Sequence, residues 1–278
     1  MEPLQGKVAV ITGAAGGLGV ALARRCSTRG MRLVLADVDG SALEAAARSI
    51  AAPDWVTAPT DVSKPEQVEA LAELAYQRFG AVHLLFNNAG VGITRPVAET
   101  TLNDWRWVLG VNLWGVIHGI AAFLPRMHAQ PVESRIVNTA SVAGFLSEPG
   151  MAAYSVSKHG VVALSETLRK ELAAASSRVG VTVLCPAFFP SRITESERVR
   201  PPELSDQARP SSAAREVQEQ LERAVRSGRL SADDIAARAL DAVVAREFYV
   251  FTHPKIRLAI EDRFGGVLAA CPYPPPRA

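Results

Sequence analysis

The feature that most constrains the fold is a short apolar run followed directly by a glycine-rich turn and a helical pattern. Residues 7–12 read KVAVIT and residues 12–19 read TGAAGGLG. Over about 17–29, apolar side chains then recur at three- and four-residue steps, as on one face of a helix. Glycines let the backbone turn tightly, and a helix N-terminus offers free amide donors to a phosphate. The segment therefore predicts a strand, a phosphate-binding turn and a helix.

Short apolar runs and helical patterns alternate along most of the chain. The predicted strands are 7–12, 31–37, a weak one near 55–56, 82–86, 135–139, 181–185 and 248–252. The predicted helices are about 17–29, 41–50, 64–79, 101–129, 152–175, 213–227 and 231–246. Ser63 to Glu66 reads as a capping box, with Pro65 early in the helix. Alternation of this kind predicts an α/β fold, a doubly wound parallel sheet of about seven strands with helices on both faces.

No linker divides the chain, so residues 1–278 are expected to form one dinucleotide-binding catalytic domain. Residues 187–230, called here the lid segment, begin with a proline-rich stretch of mixed charge and are expected to form a loop or lid over the substrate. Residues 265–278 end in PYPPPRA and are expected to form an extended tail.

Charge and cysteine usage exclude several classes of protein. The 30 basic and 28 acidic residues give a formal charge of +2, which disfavours a dedicated nucleic-acid binder. Cys26, Cys185 and Cys271 lie far apart, so a disulfide framework is not expected and a reducing compartment fits. The polar start shows no secretory signal, and a cytoplasmic location is expected. The histidines do not group with carboxylates or cysteines, so no metal site is predicted.

One apolar stretch raises the alternative of a membrane span. Residues 107–125 contain no charged side chain, close to the length that crosses a bilayer. Asn112, His118 and three glycines interrupt the stretch, and Arg106 and Arg126 bound it. A core helix of a soluble α/β protein is the favoured interpretation.

The turn and the following strand ends predict a dinucleotide site. Its pyrophosphate is expected to contact Gly13, Ala15, Gly17, Leu18 and Gly19. Asp37 closes the second strand, where a carboxylate accepts hydrogen bonds from ribose hydroxyls and repels a 2′-phosphate. NAD is therefore predicted as the cofactor and NADP is less favoured. A turn aspartate that caps the next helix is the structural alternative, although Asp39 is available for that role.

Asp61 and Val62, after the third strand, are candidate adenine contacts. For Asp61 the structural alternative is a helix-entry residue, although Ser63 already fits that position.

Tyr154 and Lys158 lie four residues apart in a helical pattern and therefore on one face of that helix. A neighbouring cation favours a phenolate and lowers its pKa, so the tyrosine can exchange a proton with an alcohol or ketone. Ser141 follows the fifth strand, at the edge where ligands bind in open sheets, and its hydroxyl can bond the substrate oxygen. Two exposed helix residues are the structural alternative for the Tyr–Lys pair.

Together these motifs resemble the short-chain dehydrogenase/reductase family from about Gly6 to Pro186, and more loosely to Phe251. The resemblance rests on TGAAGGLG at 12–19, Asp61, NNAG at 87–90, Asn112, Ser141, YSVSK at 154–158 and Pro186. It implies a single Rossmann-type domain, a nicotinamide cofactor and interconversion of alcohols and carbonyls.

The resemblance also implies a role for each matching residue. Tyr154 is the general acid/base, Lys158 holds the nicotinamide ribose and lowers the tyrosine pKa, and Ser141 polarises the substrate oxygen. Asn112 supports a proton-relay water, and as a buried asparagine it can also bond helix backbone. The cofactor site is further lined by Asn88, Ala89, Gly90, Pro186, Phe188 and Ser191. A homodimer or homotetramer formed through helices 101–129 and 152–175 is expected.

Two positions depart from the family pattern. Ala187 stands where a glycine usually follows the proline, so the backbone is expected to avoid positive φ there. Ser191 stands where a threonine commonly contacts the carboxamide, and it keeps a hydroxyl. Cofactor binding is expected to survive both changes.

Apolar residues near the motifs favour a bulky apolar or aromatic alcohol or ketone. Ser141, Ala143, Phe145, Tyr154 and Phe188 are the candidate substrate contacts, with Ile93, Val142, Met151 and Phe189 as further apolar candidates. Residues 110–127 and 248–254 also resemble a bacterial subgroup that includes dehydrogenases of aryl, lignin-derived alcohols. The expected function is NAD-dependent interconversion of a secondary alcohol and a ketone. The alternatives are an NADP-dependent carbonyl reductase, a non-catalytic nucleotide-binding regulator, and an epimerase or dehydratase on the same fold.

Overall fold

A seven-stranded parallel sheet forms the centre of the protein in the computed structural model, which describes residues 3–206 and 211–271. Its strands are β1 (Val8–Thr12), β2 (Arg32–Asp37), β3 (Trp55–Pro59), β4 (Leu84–Asn87), β5 (Ser134–Thr139), β6 (Val179–Cys185) and β7 (Tyr249–Phe251). They lie in the order β3-β2-β1-β4-β5-β6-β7, and every neighbouring pair is parallel. The predicted doubly wound parallel sheet is confirmed.

Helices cover both faces of this sheet. They are α1 (Gly17–Thr28), α2 (Gly40–Arg48), α3 (Pro65–Phe79), α4 (Leu102–Leu109), α5 (Gly115–Ala129), α6 (Ala152–Ala174), α7 (Ser212–Arg226), α8 (Ala232–Ala245) and α9 (Ile256–Ala269). Short 3₁₀ turns occupy Val97–Glu99, Val142–Gly144, Ile193–Val199 and Pro202–Leu204.

The two layers follow from the alternation of side chains along each strand. In β1, Ala9 and Ile11 pack in one apolar cluster with residues of α1 and α8. Val8 and Val10 point to the other face and pack with residues of α3 and α5. Because both faces are covered, all five residues of β1 are buried, as expected of a central strand in a parallel sheet.

Strands are added on one side of β1 as far as β3 and on its other side from β4 onward, and the ligand crevice lies at this change. After β1 the chain builds outward through β2 and β3, then returns to add β4 on the other side of β1. Loops that leave β1 and β4 therefore diverge to opposite faces at the carboxyl edge of the sheet, where such folds bind ligands. Thr12 ties the two loops together, since its Oγ1 accepts hydrogen bonds from the amides of Asn88 at 3.0 Å and Ala89 at 3.1 Å.

The long apolar helix predicted at 101–129 is interrupted in the structure. A π-helical segment, Gly110–Trp114, joins α4 to α5. By length and composition alone, Leu102–Ala129 is the one helix among the described residues that could cross a membrane. It packs against α3, α6 and β4, and Phe123 and Met127 are fully buried. This packing is that of a core helix.

Two local expectations are wrong. Helix α3 begins at Pro65 as expected, but Ser63 does not cap it, because its hydroxyl donates to Asp61 Oδ1 at 2.7 Å instead. The expected tail from residue 265 is helical as far as Ala269, as the end of α9. That helix carries apolar residues all round and two glycines, so it lacks the one-sided stripe that reveals a helix in a sequence. Residues 272–278 lie outside the described residues.

Candidate active site

A cavity of about 660 Å³ opens at the carboxyl edge of the sheet. The loops after β1 to β6 each contribute to its lining, for example through Gly13, Asp37, Asp61, Asn88, Ser141 and Pro186. Most of the predicted site residues line it: Gly13, Gly17, Leu18, Gly19, Asp37, Asp61, Val62, Asn88, Ala89, Gly90, Ser141, Ala143, Tyr154, Lys158, Pro186, Phe188 and Ser191. Ala15, Asn112 and Phe145 do not.

The glycine-rich turn depends on glycine at three positions. Gly13 and Gly17 adopt φ angles of 68° and 52°, in the left-handed region that disfavours other residues. A Cβ on Gly19 would lie 1.9 Å from the carbonyl oxygen of Gly13, so only glycine allows this close approach. The turn thus leaves the N-terminus of α1, capped by no side chain, facing the cavity as an anion-binding site.

Asp37 stands at the end of β2 and holds the turn in place. Its Oδ2 accepts a hydrogen bond from the amide of Ala15 at 2.9 Å, and its Oδ1 accepts one from Asp39 at 3.0 Å. The Ala15 amide is therefore engaged by Asp37, and Ala15 packs on the apolar cluster beneath the turn instead of lining the cavity, where a cofactor contact was expected. A carboxylate has about four acceptor positions, so Asp37 keeps capacity for ribose hydroxyls. The separate cap of α2 is Asp39, which accepts from the amide of Ala42.

Asp61 and Val62, at the end of β3, both line the cavity. Asp61 Oδ1 accepts hydrogen bonds from the amide and the hydroxyl of Ser63, at 2.9 and 2.7 Å. These contacts fix the loop between β3 and α3.

The Tyr154–Lys158 pair lies in the first two turns of α6, next to Ser141 at the end of β5. Lys158 is 3% exposed, and its Nζ donates to the carbonyl of Thr139 at 2.8 Å. The same Nζ lies 5.6 Å from the centre of the Tyr154 ring. Ser141 is buried, and its hydroxyl donates to the carbonyl of Pro186 at 3.3 Å. Tyrosine, serine and lysine all line the cavity and form one cluster there.

Burial controls the protonation of this cluster. It raises the pKa of Tyr154, and the hydrogen bond from Ser141 acts in the opposite direction. It lowers the pKa of Lys158 to about 8. The net shift of the phenol pKa is upward, because the loss of water around the phenol outweighs the stabilisation of its anion.

Asn112 lies in the π-helical segment, fully buried behind the cavity wall. Its Oδ1 accepts from the amide of Val91 at 2.8 Å, and its Nδ2 donates to the Val91 carbonyl at 2.9 Å and to Ser157 Oγ at 3.1 Å. The side chain thus ties the loop after β4 to α6. The backbone that this buried asparagine bonds is therefore that of a loop, and not the helix backbone expected from the sequence.

The loop after β6 reaches over the cavity through Pro186, Phe188 and Ser191. Ala187 does not adopt a positive φ, as expected, since Ser176 and Arg246 are the described non-glycine residues that do. Its amide donates to His253 Nδ1 at 3.3 Å. This contact with the segment after β7 is not signalled by any motif.

The expected substrate contact at Phe145 is wrong. Its ring packs in an aromatic cluster, with ring centres 5.2 Å from Phe251 and 5.9 Å from Tyr249. The 3₁₀ turn at Val142–Gly144 turns the chain, so Ala143 lines the cavity whereas Phe145 faces β7.

Several lining residues lie outside the motifs. The apolar ones are Trp107 of α4, Val199 and Leu204 of the lid segment, and Val217, Leu221, Ala224 and Val225 on one face of α7. The three- and four-residue spacing on α7 is visible in the sequence as a helix, but which cavity that face meets is not. Arg192 and Arg198 of the lid segment line the cavity as well, and Arg198 Nη1 lies 3.4 Å from Asp39 Oδ2.

The fold and this cluster define an α/β oxidoreductase with a Rossmann-type sheet and a Tyr–Lys pair. Residues 7–201 match the family model described as short chain dehydrogenase. The chain belongs to the short-chain dehydrogenase family.

Relatives match along nearly the whole chain. A short-chain dehydrogenase/reductase from Burkholderia phymatum, whose crystal structure is a complex with NAD, is 46% identical, covers 100% of both chains and superposes with a TM-score of 0.94. A 1-deoxy-11-beta-hydroxypentalenate dehydrogenase of Streptomyces exfoliatus is 34% identical over 98% of this chain and 92% of the relative. A CLA biosynthesis dehydrogenase/reductase of Lactiplantibacillus plantarum is 32% identical over 95% of this chain and 93% of the relative.

Proposed function

We propose that this chain is an NAD-dependent dehydrogenase/reductase that interconverts a secondary alcohol and a ketone carried on a bulky apolar skeleton. The observation that carries the proposal is the cluster of Tyr154, Ser141 and Lys158 at one cavity with the glycine-rich turn. The cavity is continuous from the turn to an apolar end, which leaves room for a dinucleotide and a substrate side by side.

The residues at the turn fit NAD. The left-handed glycines and the free N-terminus of α1 suit a pyrophosphate, and the Asp37 carboxylate suits an unphosphorylated ribose. The NAD complex of the Burkholderia phymatum relative supports this choice. NAD, when bound, accepts a hydride from an alcohol carbon or returns it to a carbonyl carbon.

The remaining chemistry is a proton transfer that the protein supplies. In the oxidation direction, the anion of Tyr154 takes the proton of the substrate hydroxyl while the carbon that bears this hydroxyl loses a hydride, so alcohol minus one proton and one hydride gives ketone. Ser141 donates a hydrogen bond to the substrate oxygen and fixes its distance from the phenol. Lys158, held by the Thr139 carbonyl, is positioned to bond a ribose hydroxyl and to supply positive charge beside the phenol.

The apolar end of the cavity supports a bulky substrate. Trp107, Leu221 and Phe188 are among the lining side chains, and such walls bind hydrocarbon surface in preference to small polar acids. The Streptomyces exfoliatus relative is named for a hydroxypentalenate, a hydroxy compound as the proposal requires.

The test is a panel of aryl, polycyclic and aliphatic secondary alcohols with NAD, and of the matching ketones with NADH, followed at the NADH absorbance. We expect turnover with at least one bulky member and a lower kcat/KM for small aliphatic alcohols. No turnover with any alcohol or ketone, from a protein that binds NADH, would contradict the proposed reaction and favour a nucleotide-binding regulator.

Cofactor choice is tested at Asp37. The wild type should bind NADH more tightly than NADPH, and Asp37→Ser should narrow that preference by about tenfold because it removes the charge that repels a 2′-phosphate. Fluorescence titration with both cofactors measures it. Tighter NADPH binding by the wild type would mean that Asp37 serves the turn alone and that the protein is an NADP-dependent reductase.

A further inference from the structure

A buried ion pair joins the lid segment to α4. Arg200 Nη1 lies 2.8 Å from Asp104 Oδ1, and these side chains are 3% and 0% exposed. The guanidinium also lies 5.0 Å from the centre of the Trp107 ring, and its Nε donates to the carbonyl of Leu204 at 2.8 Å. A stretch without regular helix or strand is thus held to a core helix by a charged side chain that is itself in the core.

Neighbouring charged groups compensate both members of this pair. Asp104 Oδ2 accepts a hydrogen bond from the amide of Thr101 at 3.0 Å and lies 3.7 Å from Arg95 Nε. Arg200 Nη2 lies 3.5 Å from Asp206 Oδ2, and Arg200 Nη1 also donates to Glu197 Oε1 at 3.1 Å. Two arginines, two aspartates and the exposed Glu197 therefore meet between the lid segment and α4. Buried ions need such compensation, because their removal from water is costly.

The neighbours of Arg200 in sequence form the wall of the cavity. Val199, Pro201 and Leu204 line it beside Trp107. Val199 and Leu204 also pack on the apolar cluster that contains Trp107 and Ile93. Since Val199 and Pro201 flank Arg200 directly, the place at which Arg200 is held sets where this wall stands.

A buried ion pair is weak evidence for stability, because an apolar replacement of similar volume often stabilises as well. The pair does fix one position for the backbone around Arg200, because the buried charge of Arg200 is compensated only where its side chain meets Asp104. The pair therefore acts on the shape of the cavity.

We propose that Arg200 is a specificity-determining positioning residue: paired with Asp104, it docks the lid segment so that Val199, Pro201 and Leu204 form the wall against which a bulky substrate packs. The proposal rests on the proposed function for the identity of the substrate. For the docking it rests on the ion pair, beside which Asp206 also accepts hydrogen bonds from Thr101 and Asn103.

The test compares the full-length wild type with Arg200→Met, Arg200→Lys, Asp104→Asn and the double variant Arg200→Met/Asp104→Asn. Three quantities are measured: KM and kcat for the bulkiest and the smallest alcohols that the wild type oxidises, the Kd of NADH, and the rate of limited cleavage by thermolysin. Thermolysin cuts before apolar residues, and the lid segment offers Ile193, Val199 and Leu204.

We expect Arg200→Met to raise KM for the bulky alcohol by about tenfold, as when the competent, docked state falls to about a tenth of the population. KM for the small alcohol and the Kd of NADH should change by less than about threefold, because neither depends on the docked wall. Thermolysin should cut the lid segment about tenfold faster in this variant, since cleavage follows the population of the open state.

Two further variants separate docking from a general loss of stability. Arg200→Lys keeps the charge but loses the planar fork, so it should restore part of the bulky-substrate KM. In the double variant, Asp104→Asn should add less than about twofold to the effect of Arg200→Met, because the partners act as one unit. Additive effects would overturn the proposal. If Arg200→Met is unfolded and does not bind NADH, the proposal is judged on Arg200→Lys. A KM raised more for the bulky than for the small alcohol in that variant supports docking, and equal changes overturn it.

The matched control is Arg223→Met on α7, where an arginine 61% exposed pairs with Glu219 on the surface. It should leave every measured quantity unchanged. Equal losses for bulky and small alcohols in Arg200→Met, or unchanged thermolysin cleavage, would overturn the proposal. If the wild type oxidises no alcohol, the proposed function fails, and faster cleavage of Arg200→Met still supports docking by the ion pair.

Discussion

At the scale of single residues, the site is governed by burial. Tyr154 and Lys158 share one helix face and one cavity, and loss of water moves the pKa of the phenol up and that of the ammonium down to about 8. Their spacing is visible in the sequence. The depth at which α6 holds them depends on packing, so the upward shift that burial gives the tyrosine pKa is not visible in the spacing.

Replacing Tyr154 by phenylalanine should lower kcat by about 100- to 10,000-fold, the range for loss of a general acid/base. The ring remains, so the Kd of NADH should stay within about twofold. Steady-state assays with the best alcohol of the panel measure kcat, and fluorescence titration measures the Kd of NADH. Tyr249→Phe removes a phenol outside the cavity and should retain turnover. Comparable turnover by Tyr154→Phe and the wild type would contradict the assigned role.

The lowered pKa of Lys158 has a consequence for stability. The ammonium has a pKa of about 8 in the folded chain and 10.5 when unfolded, so between these values the unfolded state binds more protons. This lysine therefore makes the free energy of unfolding rise with pH through that window.

Urea unfolding at pH 8 and 9.5 tests this in the wild type and in Lys158→Met. The wild type should gain about 1.5 kcal/mol more than the variant over this interval. The variant is the necessary reference because burial raises the pKa of Cys26 and Cys185 to about 12, and each thiol makes stability fall as pH rises above about 9. An equal pH response in both proteins would show that Lys158 keeps an ordinary pKa.

At the scale of elements, the glycine-rich turn is the most specific piece of local structure. Gly19 allows α1 to begin against the carbonyl of Gly13, which aims the helix N-terminus at the cavity. We expect Gly19→Ala to cost about 1–3 kcal/mol of stability through overpacking. It should also weaken NADH binding by more than about tenfold, because the amide donors at the helix N-terminus are no longer directed at the pyrophosphate.

The matched control is Gly265→Ala on α9, where an added Cβ meets no atom within 4 Å. It should leave NADH binding unchanged and stabilise the helix slightly. Thermal unfolding and fluorescence titration measure both variants. Unimpaired NADH binding by Gly19→Ala would contradict the assignment of the turn as the pyrophosphate site.

Elements with a strong periodic pattern are predicted well, and those fixed by a neighbour are not. All seven strands and helices α1 to α8 lie close to their predicted positions. The prediction that Ser63 caps α3 is wrong because the carboxylate of Asp61 accepts its hydroxyl. Helix α9 was not predicted because its apolar residues lie all round the helix. The prediction that Phe145 contacts the substrate is wrong because one 3₁₀ turn decides which side of the chain its ring faces.

At the scale of the whole molecule, the predicted self-association has a candidate surface. Trp114 of the π-helical segment and Val156 of α6 are large apolar side chains 53% and 50% exposed, on the two helical regions expected to associate. A homodimer or homotetramer is expected by light scattering after gel filtration. Trp114→Glu with Val156→Glu should reduce the mass to that of a smaller species, because the charges cannot be buried in a symmetric interface.

The comparison variant is Leu258→Glu, which alters an apolar side chain 72% exposed on α9. It should leave the mass unchanged. Dissociation by Leu258→Glu alone would place the interface on α9, and a monomeric wild type would contradict the expected association.

The sequence by itself determined the sheet, the glycine-rich turn and the identities of Asp37, Ser141, Tyr154 and Lys158. These depend on local periodicity, on backbone freedom and on the rule that parallel strands present their carboxyl ends at one edge. Tertiary structure alone decided the ion pair of Arg200 with Asp104, the wall that the lid segment forms, and the burial that shifts the Tyr154 and Lys158 pKa values. Such features depend on contacts between residues far apart in the chain, and no spacing within the sequence specifies which of them meet.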